Sequence, residues 1–263
     1  MVMVFVGFLG LQACKPTDQG LDVKGCLSTS PNPVVIETGL SVDATEVTNQ
    51  QFAAFVEGTG YVTDAEKIQQ GFEAAGGAVF TIPTAENSSW WRFVEGANWR
   101  HPEGPDSSIK GKPLDPVVQV TLKDARAYAS WAKRRLPIEA EWELAAKAGG
   151  AHLPIAVNEG TSGQPKEANT WQGAFPLQNT VIDGFDSRAP IGCFEPNSYG
   201  LYDMIGNVWE WTETPWGNDQ SHVIKGGSYL CAENYCRRYT VSARESQDIT
   251  LSTNHIGFRT VAN

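Results

Sequence analysis

Two cysteines near the C-terminus carry the clearest chemical signal in this sequence. Cys231 and Cys236 are separated by four residues, and two arginines, Arg237 and Arg238, follow directly. Nearby positive charge favours the thiolate form of a cysteine, and the thiolate is both the nucleophile and the metal ligand. The spacing therefore predicts a reactive pair, a metal site or a disulfide.

Coordination chemistry separates these alternatives only in part. A structural zinc site takes four nitrogen or sulfur ligands, usually as two closely spaced pairs, and the sequence has neither a second such cysteine pair nor a His-x(3–5)-His motif. A disulfide is allowed, because a short turn can bring two Cα atoms within roughly 4.4–6.8 Å. Two thiolates also suit a soft ion such as Cu(I) and leave space for a third sulfur. The disulfide and the soft-metal site both remain open.

Motifs around this pair resemble those of the formylglycine-generating enzymes, the sulfatase-modifying factor family. The resemblance extends in the family's order over residues 42–262. The Gly-Asn-Val-Trp-Glu-Trp and Gly-Phe-Arg motifs mark the wider superfamily, whereas the cysteine pair marks its oxidase branch. The matching segments are residues 96–105, 136–143, 169–173, 205–212, 225–239 and 254–259.

The resemblance implies a copper-dependent oxidase. Its substrate would be a sulfatase cysteine in a Cys-x-Pro-x-Arg motif, converted to Cα-formylglycine with O2 and a thiol reductant. Cys231 and Cys236 would hold Cu(I), and the substrate cysteine would be the third sulfur ligand. Other family positions lie in the oxygen pocket or beside the copper, although Trp209 is equally well explained as a core aromatic. The implied catalytic residues are Cys231, Cys236, Ser228, Asn254, Trp209 and Tyr235.

The resemblance also implies two calcium sites, which suits a chain with few long elements. Calcium takes carboxylate and carbonyl oxygens, although such carboxylates are more often solvated or ion-paired. The first site comprises the side chains of Asn169 and Asp183 with the carbonyls of Thr170 and Phe185; the second comprises the side chains of Asp203 and Glu210 with the carbonyls of Gly206 and Val208.

A loop at residues 99–106 is the predicted substrate-binding surface. Trp99, Arg100 and Asp106 would line it, with Asp106 pairing with the substrate arginine. The same loop can also be read as a structural corner. Binding of the substrate peptide by this loop is therefore an expectation, and the structural corner is the alternative.

The length, composition and net charge indicate the number of domains and the classes of binding partner. The chain has 263 residues, 41% of them hydrophobic, and no Pro/Ser-rich linker interrupts its interior, so one domain is expected. The formal net charge of −10 disfavours nucleic acid and anionic membranes, which require clustered Lys and Arg. An acidic protein tolerates a basic peptide, which agrees with the arginine of the implied substrate.

The N-terminus reads as a lipoprotein leader. Residues 2–11 are nearly all apolar but too few to span a bilayer, which takes about 20 residues, and Leu-Gln-Ala precedes Cys14. We divide the chain into a leader (1–14), an extension (15–40) and a catalytic domain (41–263). The protein would then lie in the cell envelope or periplasm, and a lipid on Cys14 would be its only contact with the membrane. If residues 2–11 are instead a buried strand, the expected location is the cytoplasm. Outside the cytoplasm, Cys26 and Cys193 could form a disulfide.

The elements that must position these residues are short. Capping patterns predict helices over residues 48–57 and 121–134, and a third from Pro137 to the glycines at 149–150. Short β-type runs occur at residues 117–120, 222–225, 239–243 and 256–261. The pattern agrees with the fold that the resemblance implies, a compact α+β domain with little regular secondary structure, related to the C-type-lectin-like scaffold.

Two functions of different classes remain open. One is the copper oxidase, and the other is a non-catalytic secreted binding or accessory protein whose cysteine pair is a disulfide. Nucleotide-dependent and α/β-hydrolase chemistry is disfavoured, because the sequence lacks their glycine-rich and nucleophile motifs. The histidines show no metal-binding spacing, which disfavours an iron enzyme.

Overall fold

The computed structural model describes residues 25–69, 71–85, 88–148 and 168–263. In this part of the chain three helices pack beside three short sheets. The predicted leader with Cys14 and the predicted end of the third helix at residues 149–150 lie outside the described residues. None of the described helices has both the length and the apolar character needed to cross a bilayer.

The first two helices start at the predicted caps, Thr48 and Thr121, whereas the third begins at Glu139, two residues after the predicted Pro137. The Thr48 side chain accepts a hydrogen bond from the backbone N–H of Gln51, and the Gln51 side chain accepts one from the Thr48 N–H, which completes a capping box. Gly60 ends the first helix in the left-handed conformation (φ 68°), where glycine is the favoured residue. The helices are α1 (Asn49–Thr59), α2 (Leu122–Trp131) and α3 (Glu139–Lys147), with a 3-10 turn at Asp64–Glu66.

The strands form three separate sheets. One has the order β1-β2-β9, one is the β3-β4 hairpin, and the largest has the order β7-β6-β5-β8. Its pairs are antiparallel except β5 with β8, which is parallel. The strands are β1 (Val34–Val35), β2 (Ser41–Val42), β3 (Gly76–Phe80), β4 (Trp91–Glu95), β5 (Trp209–Trp216), β6 (Asn218–Lys225), β7 (Arg244–Asp248), β8 (Ile256–Gly257) and β9 (Val261–Ala262).

Two predicted β runs lie outside these strands. Residues 117–120 are fully buried, but Gln119 adopts a left-handed conformation (φ 57°), which breaks an extended ladder. Residues 239–243 form the bend that leads into β7, which begins at Arg244. In both places burial, not strand pairing, explains the apolar residues.

Two hydrophobic clusters organise the interior. The main cluster joins α1 and α2 to the sheets through aromatic contacts, with the Phe52 ring 5.9 Å from Tyr128 and 6.4 Å from Phe258. A smaller aromatic cluster lies beside the cysteine pair. It contains Trp171, Phe175, Tyr229, Leu230 and Ala232, with Phe80, Trp90 and Trp91 packed against it.

A disulfide between Cys26 and Cys193 fastens the start of the described chain to the domain. Because it closes a loop of 167 residues, it restricts the unfolded chain strongly. We expect the Cys26→Ser/Cys193→Ser variant to lose about 2–5 kcal/mol of unfolding free energy, the range for removal of a native disulfide. Urea titration followed by tryptophan fluorescence measures the loss, and an unchanged midpoint would contradict this account.

Candidate active site

The largest sheet brings the predicted site together. Trp209 opens β5, the Ser228–Cys236 loop follows β6, and His255 directly precedes β8. The remaining strand, β7, contributes Glu245. The hairpin β3-β4 closes the site with Trp91, and the loop after residue 171 adds Phe175. Six chain segments thus surround one pocket of about 140 Å³.

A tight turn places the two cysteines side by side. Tyr235 and Arg237 both donate backbone hydrogen bonds to the Ala232 carbonyl, and Cys236 and Arg237 adopt left-handed conformations (φ 62° and 44°). Gly227 lets this turn pack closely, because a Cβ at that position would lie 2.9 Å from the Arg238 carbonyl oxygen. Glycine at residue 227 therefore matters for the shape of the site.

The two thiols are in contact but do not form a disulfide. Their Sγ atoms lie 2.8 Å apart, and both cysteines are free. Burial raises the pKa of Cys231 well above its usual value. The hydrogen bond from Cys231 lowers the pKa of Cys236 to about 7, with further help from the Arg238 N–H and its charge. At pH 7 Cys236 is therefore about half thiolate, whereas Cys231 stays a thiol.

The lower pKa of Cys236 compared with Cys231 predicts which cysteine is alkylated first in the metal-free protein. Below about pH 7 Cys236 is mostly a thiol, and above it mostly the reactive thiolate. We expect its alkylation rate by iodoacetamide to rise with a midpoint near this pH, while Cys231 stays slow. Peptide mass spectrometry measures both rates. Cys231→Ala should move the Cys236 midpoint upward because it removes the hydrogen bond, and equal rates at both cysteines would contradict the assignment.

Three further predicted residues line the same pocket: Ser228, Trp209 and Tyr235. Ser228 is fully buried, and its Oγ accepts the Leu230 N–H at 3.3 Å, which leaves its hydroxyl hydrogen available. Trp209 belongs to the main core and also lines the pocket. Tyr235 is 43% exposed at the pocket and stacks on Phe175 with ring centroids 4.5 Å apart.

Asn254 does not line this pocket. Its Oδ1 accepts the Phe80 N–H at 3.1 Å, and the residue borders a neighbouring cavity instead. His255, the next residue, lines the sulfur pocket. Sequence reasoning had no signal for it except its position before a β-type run. The lining residues it missed are Trp91, Phe175, Leu230, Arg238, Glu245 and His255.

The donor set of the pocket fits a soft metal ion. Two sulfurs are suitable ligands for Cu(I), and no group of three or more His, Cys, Asp or Glu side chains that could hold a metal occurs among the described residues. The pocket thus offers two protein ligands and free space beside them. Cys231 and Cys236 would hold the ion through their sulfurs, which are adjacent in the pocket.

The first predicted calcium site has the features of a cation site. Asn169 Oδ1 is buried without a hydrogen-bond partner, while its Nδ2 donates to Ser187 and Asn207. Asp183 lies beside it and accepts the backbone N–H groups of Thr170 and Phe185 at 3.1 Å. Burial raises the pKa of Asp183. An unpaired carbonyl-type oxygen and a half-buried carboxylate that bonds to the backbone of the next residue are ligand types that suit a hard cation.

The second predicted site is arranged differently. Both carboxylate oxygens of Glu210 accept hydrogen bonds from Arg259 at 2.7 Å, and Asp203 accepts the Gly192 N–H at 2.6 Å. The Gly206 and Val208 carbonyls lie in the loop between these two residues. Since a guanidinium already neutralises Glu210, this arrangement does not present a calcium site.

The predicted substrate loop lies outside the sulfur pocket. Trp99 is 2% exposed and belongs to the main core, so its indole is not available to a ligand. Arg100 stacks over that indole at 4.1 Å and pairs with Glu66 at 2.7 Å. Asp106 is exposed. The loop therefore offers Asp106 and the edge of Arg100 to solvent.

Comparisons with known proteins agree on one family. The family model described as "Sulfatase-modifying factor enzyme 1-like domain" matches residues 1–263. The formylglycine-generating enzyme of Thermomonospora curvata is 44% identical over 247 residues, covering 84% of this chain and 81% of the relative. That of Mus musculus is 42% identical over 257 residues, covering 89% and 68%.

Other similar proteins include a relative named inactive and a solved structure of the same fold. The "Inactive C-alpha-formylglycine-generating enzyme 2" of Bos taurus is 37% identical over 231 residues, covering 83% of this chain and 75% of the relative. The solved structure of PvdO from Pseudomonas aeruginosa matches with a TM-score of 0.59 at 23% identity, covering 84% of this chain and 79% of that chain. This structural match shows the fold, which is α+β as expected.

Proposed function

Because the chain belongs to the sulfatase-modifying factor enzyme family, we propose that it oxidises a sulfatase cysteine in a Cys-x-Pro-x-Arg motif to Cα-formylglycine. The observation that carries the proposal is the pair of unbonded thiols, 2.8 Å apart, in an accessible pocket. Family membership alone does not assign the activity, since one similar protein is named inactive. Free thiols also count against the accessory protein, whose cysteines would form a disulfide.

We infer that the oxidant is O2 and that a thiol supplies the remaining electrons. The cysteine side chain loses two electrons at Cβ as its CH2–SH becomes an aldehyde, and two external thiols lose two more as they form a disulfide. O2 accepts all four electrons. The products are the aldehyde, hydrogen sulfide, water and the disulfide, so atoms and electrons balance.

Cys231 and Cys236 are the proposed ligands of Cu(I), which would supply O2 activation and a site for the substrate sulfur. Cys236 is already about half thiolate at pH 7, whereas Cys231 must lose its proton when metal binds. Metal affinity should therefore rise with pH. Trp209 and Ser228 form the enclosed side of the pocket and exclude bulk water, while Tyr235 lies at its exposed side.

The substrate is proposed to be a basic peptide segment. The net charge of −10 favours its approach, and the exposed Asp106 stays the proposed partner of the substrate arginine. Since Trp99 is buried, it would act by holding Arg100 in place and not by touching the peptide.

Calcium is proposed at the first site only, since the pairing of Glu210 with Arg259 counts against the second. The unpaired Asn169 Oδ1 supports this choice. We expect Asp183→Asn to weaken calcium binding about 10-fold or more, because charge count sets the affinity of such sites. Calorimetric titration of the chelator-treated protein measures it, with Glu210→Gln as the matched control that should retain binding.

We propose that the protein works in the cell envelope. The Cys26–Cys193 disulfide supports this location, because disulfides persist in oxidising compartments and are rare in the cytosol. Lipidation of Cys14 stays a prediction, and it can be read from the mass of the membrane-extracted protein.

The decisive experiment uses the purified protein with Cu(I), O2, a thiol and a Cys-x-Pro-x-Arg peptide. We expect a mass loss at the peptide cysteine and trapping of the product by a hydrazide. A peptide with serine in place of the cysteine is the control and should stay unchanged. An unmodified cysteine peptide in the presence of fully metallated protein would refute the oxidase and favour the accessory protein.

A further inference from the structure

The loop from Thr170 to Asp183 joins the first proposed calcium site to the cysteine turn. Asp183 closes the loop, because its carboxylate accepts the Thr170 N–H at 3.1 Å. Inside the loop, Asn179 Oδ1 accepts the N–H groups of Gln172 and Val181, both at 3.1 Å. These bonds connect the ends of the loop to its interior, so a change at the calcium site can reach the rest of the loop.

One peptide group lies directly between the two sites. The carbonyl of Thr170 is a proposed calcium ligand, and within the described part of the chain it accepts no hydrogen bond. The N–H of the same peptide group belongs to Trp171 and donates to the Cys231 carbonyl at 3.1 Å. A peptide group is planar, and hydrogen-bonded groups in a chain polarise one another. Calcium on the carbonyl would therefore orient this group and strengthen its bond to Cys231.

The tip of the loop holds the other half of the turn. The Phe175 N–H donates to Asn234 Oδ1, and Asn234 Nδ2 donates to the Phe175 carbonyl, both at 3.1 Å. The Phe175 ring stacks on Tyr235 with the ring planes 6° apart. Asn234 and Tyr235 directly precede Cys236. The loop thus holds the turn at both ends, at Cys231 itself and at the two residues before Cys236.

We propose that calcium at the first site stabilises the cysteine turn through this loop, by way of the Trp171 peptide group and Asn234 together, and so raises the affinity of the two sulfurs for Cu(I). The inference rests on the proposed function, from which it takes both ions. Once one ion has ordered the loop, the second binds with less loss of conformational entropy, so the coupling is positive. Coupling of this kind is reciprocal and amounts to about 5–150-fold in affinity. Asn234 acts here as a positioning residue, because its side chain bonds the loop and is not a proposed ligand of either ion.

The first measurement needs neither copper nor substrate. Cys231 is 1% exposed, so its alkylation requires the turn to open, and the rate reports how often this local opening occurs. We expect saturating calcium to slow alkylation of Cys231 by iodoacetamide about 5-fold or more in the chelator-treated protein, at the lower end of the usual coupling. Asp183→Asn should show no such effect at a calcium concentration that saturates only the wild type. Peptide mass spectrometry measures the rates.

The second measurement tests the route of the coupling. Asn234→Ala removes both hydrogen bonds to Phe175 and leaves the proposed ligands of both ions in place. We expect it to bind calcium as the wild type does, by calorimetry, but to lose most of the effect of calcium on Cys231 alkylation and on Cu(I) affinity, which competition with a chromophoric chelator measures. The control is Glu233→Gln, which removes a charge from the same turn, keeps both bonds to Phe175 and should retain the full effect.

A wild-type protein that binds calcium but shows the same Cys231 alkylation rate and Cu(I) affinity without it would overturn the inference. An Asn234→Ala variant that keeps the full effect of calcium would overturn it as well, since the tip of the loop would then play no part. Absence of calcium binding would overturn it together with the proposed calcium site. An unmodified peptide in the activity assay would count against the oxidase alone, because neither measurement uses the peptide.

Discussion

Cys236→Ser is expected to lower formylglycine formation by roughly 1,000-fold or more, the scale on which loss of a group at the reaction centre acts. The hydroxyl oxygen of serine is a hard, mostly protonated donor, and Cu(I) prefers soft thiolates. The substitution also removes the cysteine of lower pKa, which loses its proton more easily than Cys231 does. Peptide mass spectrometry measures the rate, and competition with a chromophoric chelator measures bound Cu(I).

The matched control for this prediction is the Cys26→Ser/Cys193→Ser variant. It also removes cysteines, but these form the disulfide outside the pocket. It should bind one Cu(I) as the wild type does, even though its stability is lower. A Cys236→Ser protein that keeps both copper and turnover would show that the thiol pair is not the reaction centre.

The sequence predicted those features that short stretches of chain determine. The capping box at Thr48 and Gln51 places the start of α1, because both partners lie within one turn. The four-residue spacing of Cys231 and Cys236 brings their sulfurs into contact, because a turn of that length reverses the chain. The family motifs then indicated the α+β fold and five of the eleven residues that line the pocket.

Features that depend on distant contacts could not be read locally. Whether Asn254 or His255 faces the sulfurs depends on how the turn at residues 254–255 is held, through the bond from the Asn254 N–H to Ala78 and the bond from the Trp209 N–H to His255. Both partners are distant in sequence. The burial of Trp99 likewise depends on Phe52, whose ring centroid lies 5.2 Å away. Strands of two residues, such as β1 and β8, are too short to show any periodicity.

A buried charge cluster surrounds Arg259. Glu210 and Arg259 are each 1% exposed and joined by two hydrogen bonds of 2.7 Å, and Trp142 donates a third to Glu210. Two more acids lie nearby. Burial, with repulsion from Asp203 and Glu210, raises the pKa of Glu46 well above its usual value, and burial raises that of Asp203 to about 6. Arg259 is the cation that makes this acidic cluster tolerable.

Arg259→Met should therefore cost about 3–5 kcal/mol of unfolding free energy, the usual result of leaving a buried charge unpaired. Glu210→Gln should cost less. In that variant Arg259 keeps a charge partner, because Glu46 or Asp203 can release a proton and ionise in place of Glu210. Urea titrations of both variants at neutral pH measure the difference, and Arg259→Lys, which keeps the charge but not the paired hydrogen bonds, should fall between them.

The pH dependence separates this electrostatic cause from lost packing. Without Arg259 the buried carboxyl groups hold protons more tightly in the folded than in the unfolded protein, so the folded state binds more protons and its stability falls as pH rises. The gap between wild type and Arg259→Met should thus be small near pH 4.5, about the unperturbed range of these acids, and large at neutral pH. A gap that stays constant with pH would mean that Arg259 acts by filling space, since a cavity costs the same at any pH.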